Sequence, residues 1–349
     1  MGKNKNASQE DPNQAESRKK DHIELAFESK QDLNLMDSRF SYEPLLGAHP
    51  DWKKKNPEPF DFAAKKMKIP VWVSSMTGGT EMAAIINENL CRACGEFGMG
   101  FGLGSCRSLI EGNLSRLNDF DYRAVIGDEA PFYANLGIAQ LESIVFEKSW
   151  HKVQDLIGLL KADGLIIHVN PMQEALQPEG DRFKKPPIET IETLLLKTDI
   201  RIIVKEVGQG FGRQSMKTLL QLPLQAVEFG AHGGTNFSKL ELLRSDEHRK
   251  NTFEPLSRVG HNASEMLETA NQLKKELGVN CKVKEIIVSG GVKDYLDGYY
   301  FVKKSNFKTV YGQASGFLKY ARGTYEELRK HVAAQIQGYN LAESFLRIK

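Results

Sequence analysis

Eight times between Ile69 and Tyr311 the sequence passes from a short β-prone run to a segment with helical spacing, and this rhythm limits the fold more than any other feature. The runs cover residues 71–75, 99–103, 132–136, 165–169, 201–205, 226–229, 285–289 and 309–311. Segments 143–160 and 263–277 are examples of the helical spacing between them. Strict strand and helix alternation calls for parallel strands with helical crossovers, and eight such units close into a (β/α)8 or TIM barrel. An open, doubly wound sheet would want G-x-G-x-x-G after its first strand. Here that place holds Met76-Thr77-Gly78-Gly79-Thr80. We assign the barrel to residues 69–349, with a helical extension at its C-terminal end. An N-terminal arm with a helical segment covers 17–68, and residues 1–16 form a polar tail expected to be disordered on its own.

The chain is 349 residues long, which suits one such barrel. Hydrophobic residues make up 40% and charged residues 26%, a balance typical of an enzyme with a large core. A formal net charge of +2 leaves no polyanion footprint, so nucleic acid is not the expected partner. No apolar run reaches membrane-spanning length and the N-terminus carries no signal-peptide core, so we expect a cytoplasmic protein. Four cysteines do not make a disulfide framework. Cys91 and Cys94 form a C-x-x-C, but no second pair follows, and spacing of three on a helix starting near Glu81 points both thiols to one side. Core packing explains them better than a metal does.

Residues 165–183, LIIHVNPMQEALQPEGDRF, look like a site. A buried run ends where His168, Asn170, Gln173 and Glu174 begin, and at the carboxyl end of a barrel strand such groups can converge on a ligand. Taken singly, each could be a satisfied loop residue. The other strand ends share a second feature, a small-residue turn. These are Ser75-Met76-Thr77-Gly78-Gly79, Gly104-Ser105-Cys106-Arg107, Asn135-Leu136-Gly137, Lys205-Glu206-Val207-Gly208, Gly233-Gly234-Thr235-Asn236, Gly290-Gly291-Val292-Lys293 and Gly312-Gln313-Ala314-Ser315. Glycine lets backbone amides come close to a ring or a phosphate. Upstream, Arg18, Lys19 and His22 stand in a basic run at the entry to a first helix.

The string H-x-N-x-x-Q-E-x-x-x-P-E-G-D, complete here from His168 to Asp181, resembles the signature of the flavin-dependent, type 2 isopentenyl-diphosphate isomerases. The resemblance covers roughly residues 18–319 and implies a set of roles. Arg18, Lys19 and His22 would match the family's R-K-x-x-H and hold the substrate diphosphate together with Ser105, Arg107 and Gln173. Ser75, Met76, Thr77, Ser105, Asn135 and Lys205 would line the flavin. Thr235, Gly291, Val292, Lys293, Ala314 and Ser315 would hold the FMN phosphate, and Lys205 would steady charge at the pyrimidine edge. Gln173, with His168 and Asn170, would serve the reacting carbons, and Glu174 would hold Mg²⁺.

The implied reaction shifts the double bond of isopentenyl diphosphate to give dimethylallyl diphosphate, with reduced FMN as proton carrier and NADPH needed only to reduce it. The resemblance also implies a homo-oligomer, a tetramer or larger. The chain departs from the family at several places. Gly230, Ala231 and His232 replace S-G-R, Val292 and Lys293 replace I-R, Cys106 replaces Gln, and residues 256–262 replace a W-G-I-P-T stretch. Two other readings stay open. One is a flavin-dependent hydroxy-acid oxidase, for which His232 and Arg258 are compositional candidates. The other is a flavin- or diphosphate-binding paralogue without turnover.

Overall fold

The computed structural model describes residues 12–51, 58–75 and 81–349. They fall into two compact units, one of residues 12–41 with Lys349 and one of the described residues from 42 to 348. In the first, Pro12–Glu24 is a helix and Leu33–Leu35 a 3₁₀ turn whose first amides are capped by Asp32, which accepts from Asn34 N at 2.8 Å. The helix overlaps the end of the expected polar tail, because Pro12 can open a helix without losing a hydrogen bond. Residues 1–11 of that tail lie outside the described residues.

The second unit holds the barrel. Its strands are β1 (Val71–Val73), β2 (Gly100–Gly102), β3 (Phe132–Gly137), β4 (Gly164–Val169), β5 (Ile202–Glu206), β6 (Ala226–Glu228), β7 (Glu285–Ser289) and β8 (Lys308–Gln313). They pair in parallel, each with its successor, and β8 closes onto β1. All eight expected runs are strands, with ends that coincide or are shifted by one or two residues. The 263–277 segment is one helix, Ala263–Leu277, started by a capping box between Asn262 and Glu265. The 143–160 segment is a correction. It is two helices, Ile138–Phe146 and His151–Leu160, parted at Lys148, which turns left-handed at φ 56°. A lysine there carries none of the glycine signal that usually marks such a break. Cys91 and Cys94 are both fully buried on helix Glu81–Phe97, as core packing requires.

Below the barrel, a hairpin of Phe60–Phe62 with Lys65–Met67 turns through Ala63 and Ala64, both at positive φ. It belongs with the barrel unit, although it lies inside the stretch expected as arm. Phe62, Ala63 and Met67 pack beneath Trp72, Tyr133, Ile166, Ile203, Ala226, Ile287 and Val310. Burial of each large apolar side chain contributes about 1.5–3 kcal/mol. Ala63 N donates to Glu285 Oε2 at 2.8 Å and Tyr133 OH donates to Ala63 O at 3.1 Å, pinning the plug.

One step of the β period above that apolar layer the inward positions change character. Two residues on from Trp72, Tyr133, Ile166, Ile203, Ala226 and Ile287 stand Ser74, Asn135, His168, Lys205, Glu228 and Ser289. The apolar layer closes the barrel, and the polar layer forms the floor of whatever sits at its carboxyl end.

Candidate active site at the carboxyl end of the barrel

Two side chains of that floor fix each other. Asn135 donates to Leu103 O at 2.9 Å, which turns its Oδ1 toward His168 Nδ1, also at 2.9 Å. The imidazole proton therefore sits on Nδ1, and Nε2 is left as an acceptor. Burial, with the Lys205 ammonium as a second cause, pushes the His168 pKa down to about 3, so the ring is neutral at neutral pH. Lys205 is 7% exposed, and no carboxylate among the described residues lies within ion-pair distance of it. A buried lysine without a counter-charge is an invitation to an anionic or electron-rich group.

Beside Lys205 opens a cleft of about 390 Å³, walled by the turns after β5, β6, β7 and β8. The turns after β6 and β7 touch. A Cβ on Gly234 would come within 2.9 Å of Gly291 N, and one on Gly290, at φ 88°, within 2.1 Å of Ala231 O. Among the described residues the amides of Gly233, Gly234, Gly291 and Val292 have no acceptor, whereas Lys293 N donates to Asp297 at 3.0 Å. Thr235, Val292, Lys293, Ala314 and Ser315 border this cradle. The turn after β5 is held by Glu206, whose Oε2 accepts from the amides of Gly208, Gln209 and Gly210 at 2.8, 2.6 and 2.8 Å. Burial raises the Glu206 pKa against the pull of those bonds. On the opposite wall Ser75 Oγ is buried and has no partner among the described residues. Met76 and Thr77 lie outside the described residues.

The signature stretch passes from β4 into a helix at Pro171. Pro171–Leu176 is a short helix, with proline at its first position. Successive residues on a helix point about 100° apart, which separates Gln173 from Glu174. Asn170, 2% exposed, joins them again: its Nδ2 reaches Gln173 Oε1 at 3.1 Å and Glu174 Oε1 at 2.9 Å. Its own Oδ1 is buried and has no partner among the described residues. Glu174 Oε2 accepts from Asp181 N at 2.8 Å, a contact that needs glycine at 180, where a Cβ would fall 2.2 Å from Glu174 O.

From there the network runs both ways. Asp181 Oδ2 accepts from Gln140 Nε2 and from Arg107, each at 3.0 Å, and Arg107 also holds Glu111 at 2.7 Å. Gln173 Nε2 donates to Glu241 Oε1 at 3.0 Å, and Glu241 Oε2 accepts from Arg244 at 2.6 Å. Glu241 and Arg244, on helix Phe237–Arg244, were not singled out from the sequence. Their signal was an E-x-x-R one turn into the helix that follows Gly233-Gly234-Thr235.

Other sequence candidates are more dispersed. Arg18, Lys19 and His22 lie on helix Pro12–Glu24 and are exposed, with Arg18 and His22 on one face. Ser105 is exposed, and Arg107 borders a separate groove of about 750 Å³. Cys106 is fully buried with its thiol pushed up to about 12 by burial, so it offers the site no polar group. Arg258 is bound to Glu254 at 3.0 Å with most of its side chain exposed, and His232 Nδ1 is buried with no partner among the described residues. The replaced wall at 256–262 is tied in by Gln209, which donates to Leu256 O at 3.1 Å and Val259 O at 2.7 Å.

No protein-family model matches the chain. Over 314 residues it is 31% identical to the isopentenyl-diphosphate delta-isomerase of Rickettsia typhi, covering 89% of this chain and 88% of that protein. Against the protein of the same name from Rickettsia felis the identity is 32% over 319 residues, covering 89% and 86%. Among solved structures, a flavocytochrome b2 variant with pyruvate bound aligns with a TM-score of 0.58 at 14% identity, over 87% of this chain and 71% of that one. A mandelate oxidase variant with an FMN adduct aligns at 0.53 and 12% identity, over 89% and 88%. At such identities the structural matches speak for the barrel alone.

Proposed function

Because the chain belongs to the isopentenyl-diphosphate delta-isomerase family, we propose that it interconverts isopentenyl and dimethylallyl diphosphate, using reduced FMN and Mg²⁺. The observation that carries this reading is the Asn170 hub. One buried amide holds a carboxamide, Gln173, and a carboxylate, Glu174, at the mouth of a barrel.

FMN fits the cleft on two counts. The Gly233–Gly234 and Gly290–Gly291 turns make a cradle that a Cβ would fill, with amides lacking acceptors, as a single phosphate requires. The floor offers Lys205, which has no carboxylate within ion-pair distance among the described residues. Lys205 and Asn135 would meet the ring, with Ser75, Met76, Thr77 and Ser105 around it. Thr235, Gly291, Val292, Ala314 and Ser315 would meet the ribityl phosphate. When bound and reduced, the flavin would supply the proton exchange, and NADPH would serve only to reduce it.

Double-bond transposition adds a proton to the terminal alkene carbon and removes one two carbons away, so nothing is gained or lost overall. The cationic centre between them must be kept from water. Gln173, oriented by Asn170 and Glu241, would position the reacting carbons. His168 is neutral and fixed as a donor at Nδ1, leaving Nε2 to accept from the substrate side. Arg18, Lys19 and His22 would clasp the diphosphate with Arg107.

Glu174 keeps one lone pair on each oxygen beyond its bonds to Asn170 and Asp181, enough for one coordination bond to magnesium. Among the described residues no three His, Cys, Asp or Glu side chains cluster for a metal. Diphosphate oxygens and water would therefore complete the shell, the usual arrangement for this ion. No helix among the described residues is long and apolar enough to cross a membrane. A cytoplasmic homo-oligomer remains the expected setting.

Anaerobic incubation of the photoreduced protein with isopentenyl diphosphate and Mg²⁺ tests the reading. Formation of dimethylallyl diphosphate supports it. Flavin occupancy without product would favour the non-turnover paralogue, and reduction of the oxidised flavin by a 2-hydroxy acid would favour the oxidase.

A further inference from the structure

We propose that Glu228 receives a ribityl hydroxyl of the bound FMN through its Oε2. This rests on the FMN reading above and adds a contact that neither the signature motifs nor the glycine turns suggest.

Glu228 ends β6 and belongs to the polar floor. It is 1% exposed, and its Oε1 accepts from Ser74 Oγ at 2.5 Å, which fixes the carboxylate plane across the barrel. Oε2 is buried and has no donor among the described residues, and Glu228 lines the cleft. The Cα partner of Glu228 on β5 is Lys205, whose ammonium is not within ion-pair distance. A carboxylate oxygen held in place and left without a donor needs one from whatever occupies the cleft.

The order of the strands identifies that donor. A phosphate cannot supply it, being an acceptor of the same charge, and its cradle is at the Gly233 and Gly291 turns, after β6 and β7. Lys205, on β5, would face the N1 and C2 carbonyl edge of the ring. In FMN the ribityl chain leaves from N10, beside N1, whereas the N3 imide hydrogen lies on the far side of the C2 carbonyl. A flavin with its N1 edge at β5 and its phosphate beyond β6 must pass its ribityl hydroxyls over β6, where Glu228 stands.

Exchange of bound FMN on the full chain against 2′-, 3′- and 4′-monodeoxy-FMN, followed by flavin fluorescence, tests this. Wild-type protein should bind one of the three about 10- to 100-fold more weakly than FMN, the range for a hydrogen bond to a charged group. Glu228→Gln, which is isosteric and retains a partner for Ser74, should bind FMN at least tenfold more weakly and discriminate against that same analogue less than threefold. Equal binding of all three analogues by wild-type protein would overturn the proposal without need of a variant. So would unchanged discrimination in Glu228→Gln. A wild-type chain that binds neither FMN nor its analogues would overturn the FMN reading itself, an outcome distinct from tight FMN binding without discrimination.

Discussion

Gln173 donates to Glu241 across 3.0 Å, joining the helix that follows β4 to the helix that follows β6. A carboxamide can flip, and only its partners decide which end faces the substrate. Here Oε1 is claimed by Asn170 and Nε2 by a carboxylate that is itself held by Arg244. Glu241→Ala should therefore lower kcat about 10- to 100-fold, the loss expected for one hydrogen bond to a buried charge, with FMN content unchanged. Steady-state rates and the flavin absorbance of the same preparation measure both. A kcat within twofold of wild type would detach Glu241 from the reaction.

The phosphate cradle makes a separate prediction. Gly291 has φ 76° and a Cβ there would lie 3.2 Å from Gly233 C, so Gly291→Ala combines backbone strain of about 1–2 kcal/mol with loss of the space the amides face. The variant should keep its far-ultraviolet circular dichroism and bind FMN at least about tenfold more weakly. Full flavin occupancy after dialysis would argue that the phosphate is held elsewhere.

His168 sets a pH dependence. Its native pKa is lowered to about 3, below the roughly 6.5 of an unfolded chain. Above about pH 6.5 both states are neutral and the shift contributes no pH slope; below it the unfolded chain takes a proton that the native ring does not, so stability falls as pH drops toward 3. His168→Gln lacks this slope. The stability gap between wild type and variant should narrow from pH 7 to pH 5, read as Tm in a buffer series. A gap that holds constant or widens would contradict a neutral, buried imidazole.

How much of this was legible depends on whether the determinants were local. The eight strands were, because each is a compact apolar run closed by small residues. Helix Ala263–Leu277 was, because its capping box is written in four consecutive residues. The break at Lys148 was not, since a left-handed lysine leaves no local mark. In the site, His168, Asn170, Gln173 and Glu174 stand close together in the chain and could be read as a group. Glu241 is 68 residues from Gln173, and Glu228 is 154 from Ser74. Those pairings depend on which strands face each other across a closed barrel, which periodicity alone does not state.

The arm makes a prediction that separates charge from chain length. Deleting residues 1–11 should leave kinetics unchanged, whereas Lys19→Ala or Arg18→Ala should raise KM for isopentenyl diphosphate about tenfold, roughly 1.4 kcal/mol. Their kcat should hold, because a diphosphate contact is the same in ground and transition states. Identical KM values in the deletion and the point variants would remove the arm from substrate binding.

Asn170 turns the division of labour between Gln173 and Glu174 into a three-way test. Glu174→Gln should bind FMN normally and need more Mg²⁺ for half-maximal rate, its loss partly recovered at high metal, because a neutral amide is a poor ligand for a hard cation. Gln173→Ala should leave the magnesium dependence alone and lower kcat. Asn170→Ala removes the donor common to both, from a position 2% exposed, so it should show the two defects together in one protein. Magnesium titrations of initial rate for the three variants decide the matter. If Glu174→Gln and Gln173→Ala shared one metal profile, the roles assigned to the pair would be wrong. If Asn170→Ala reproduced only one of the two defects, the hub would serve that residue alone.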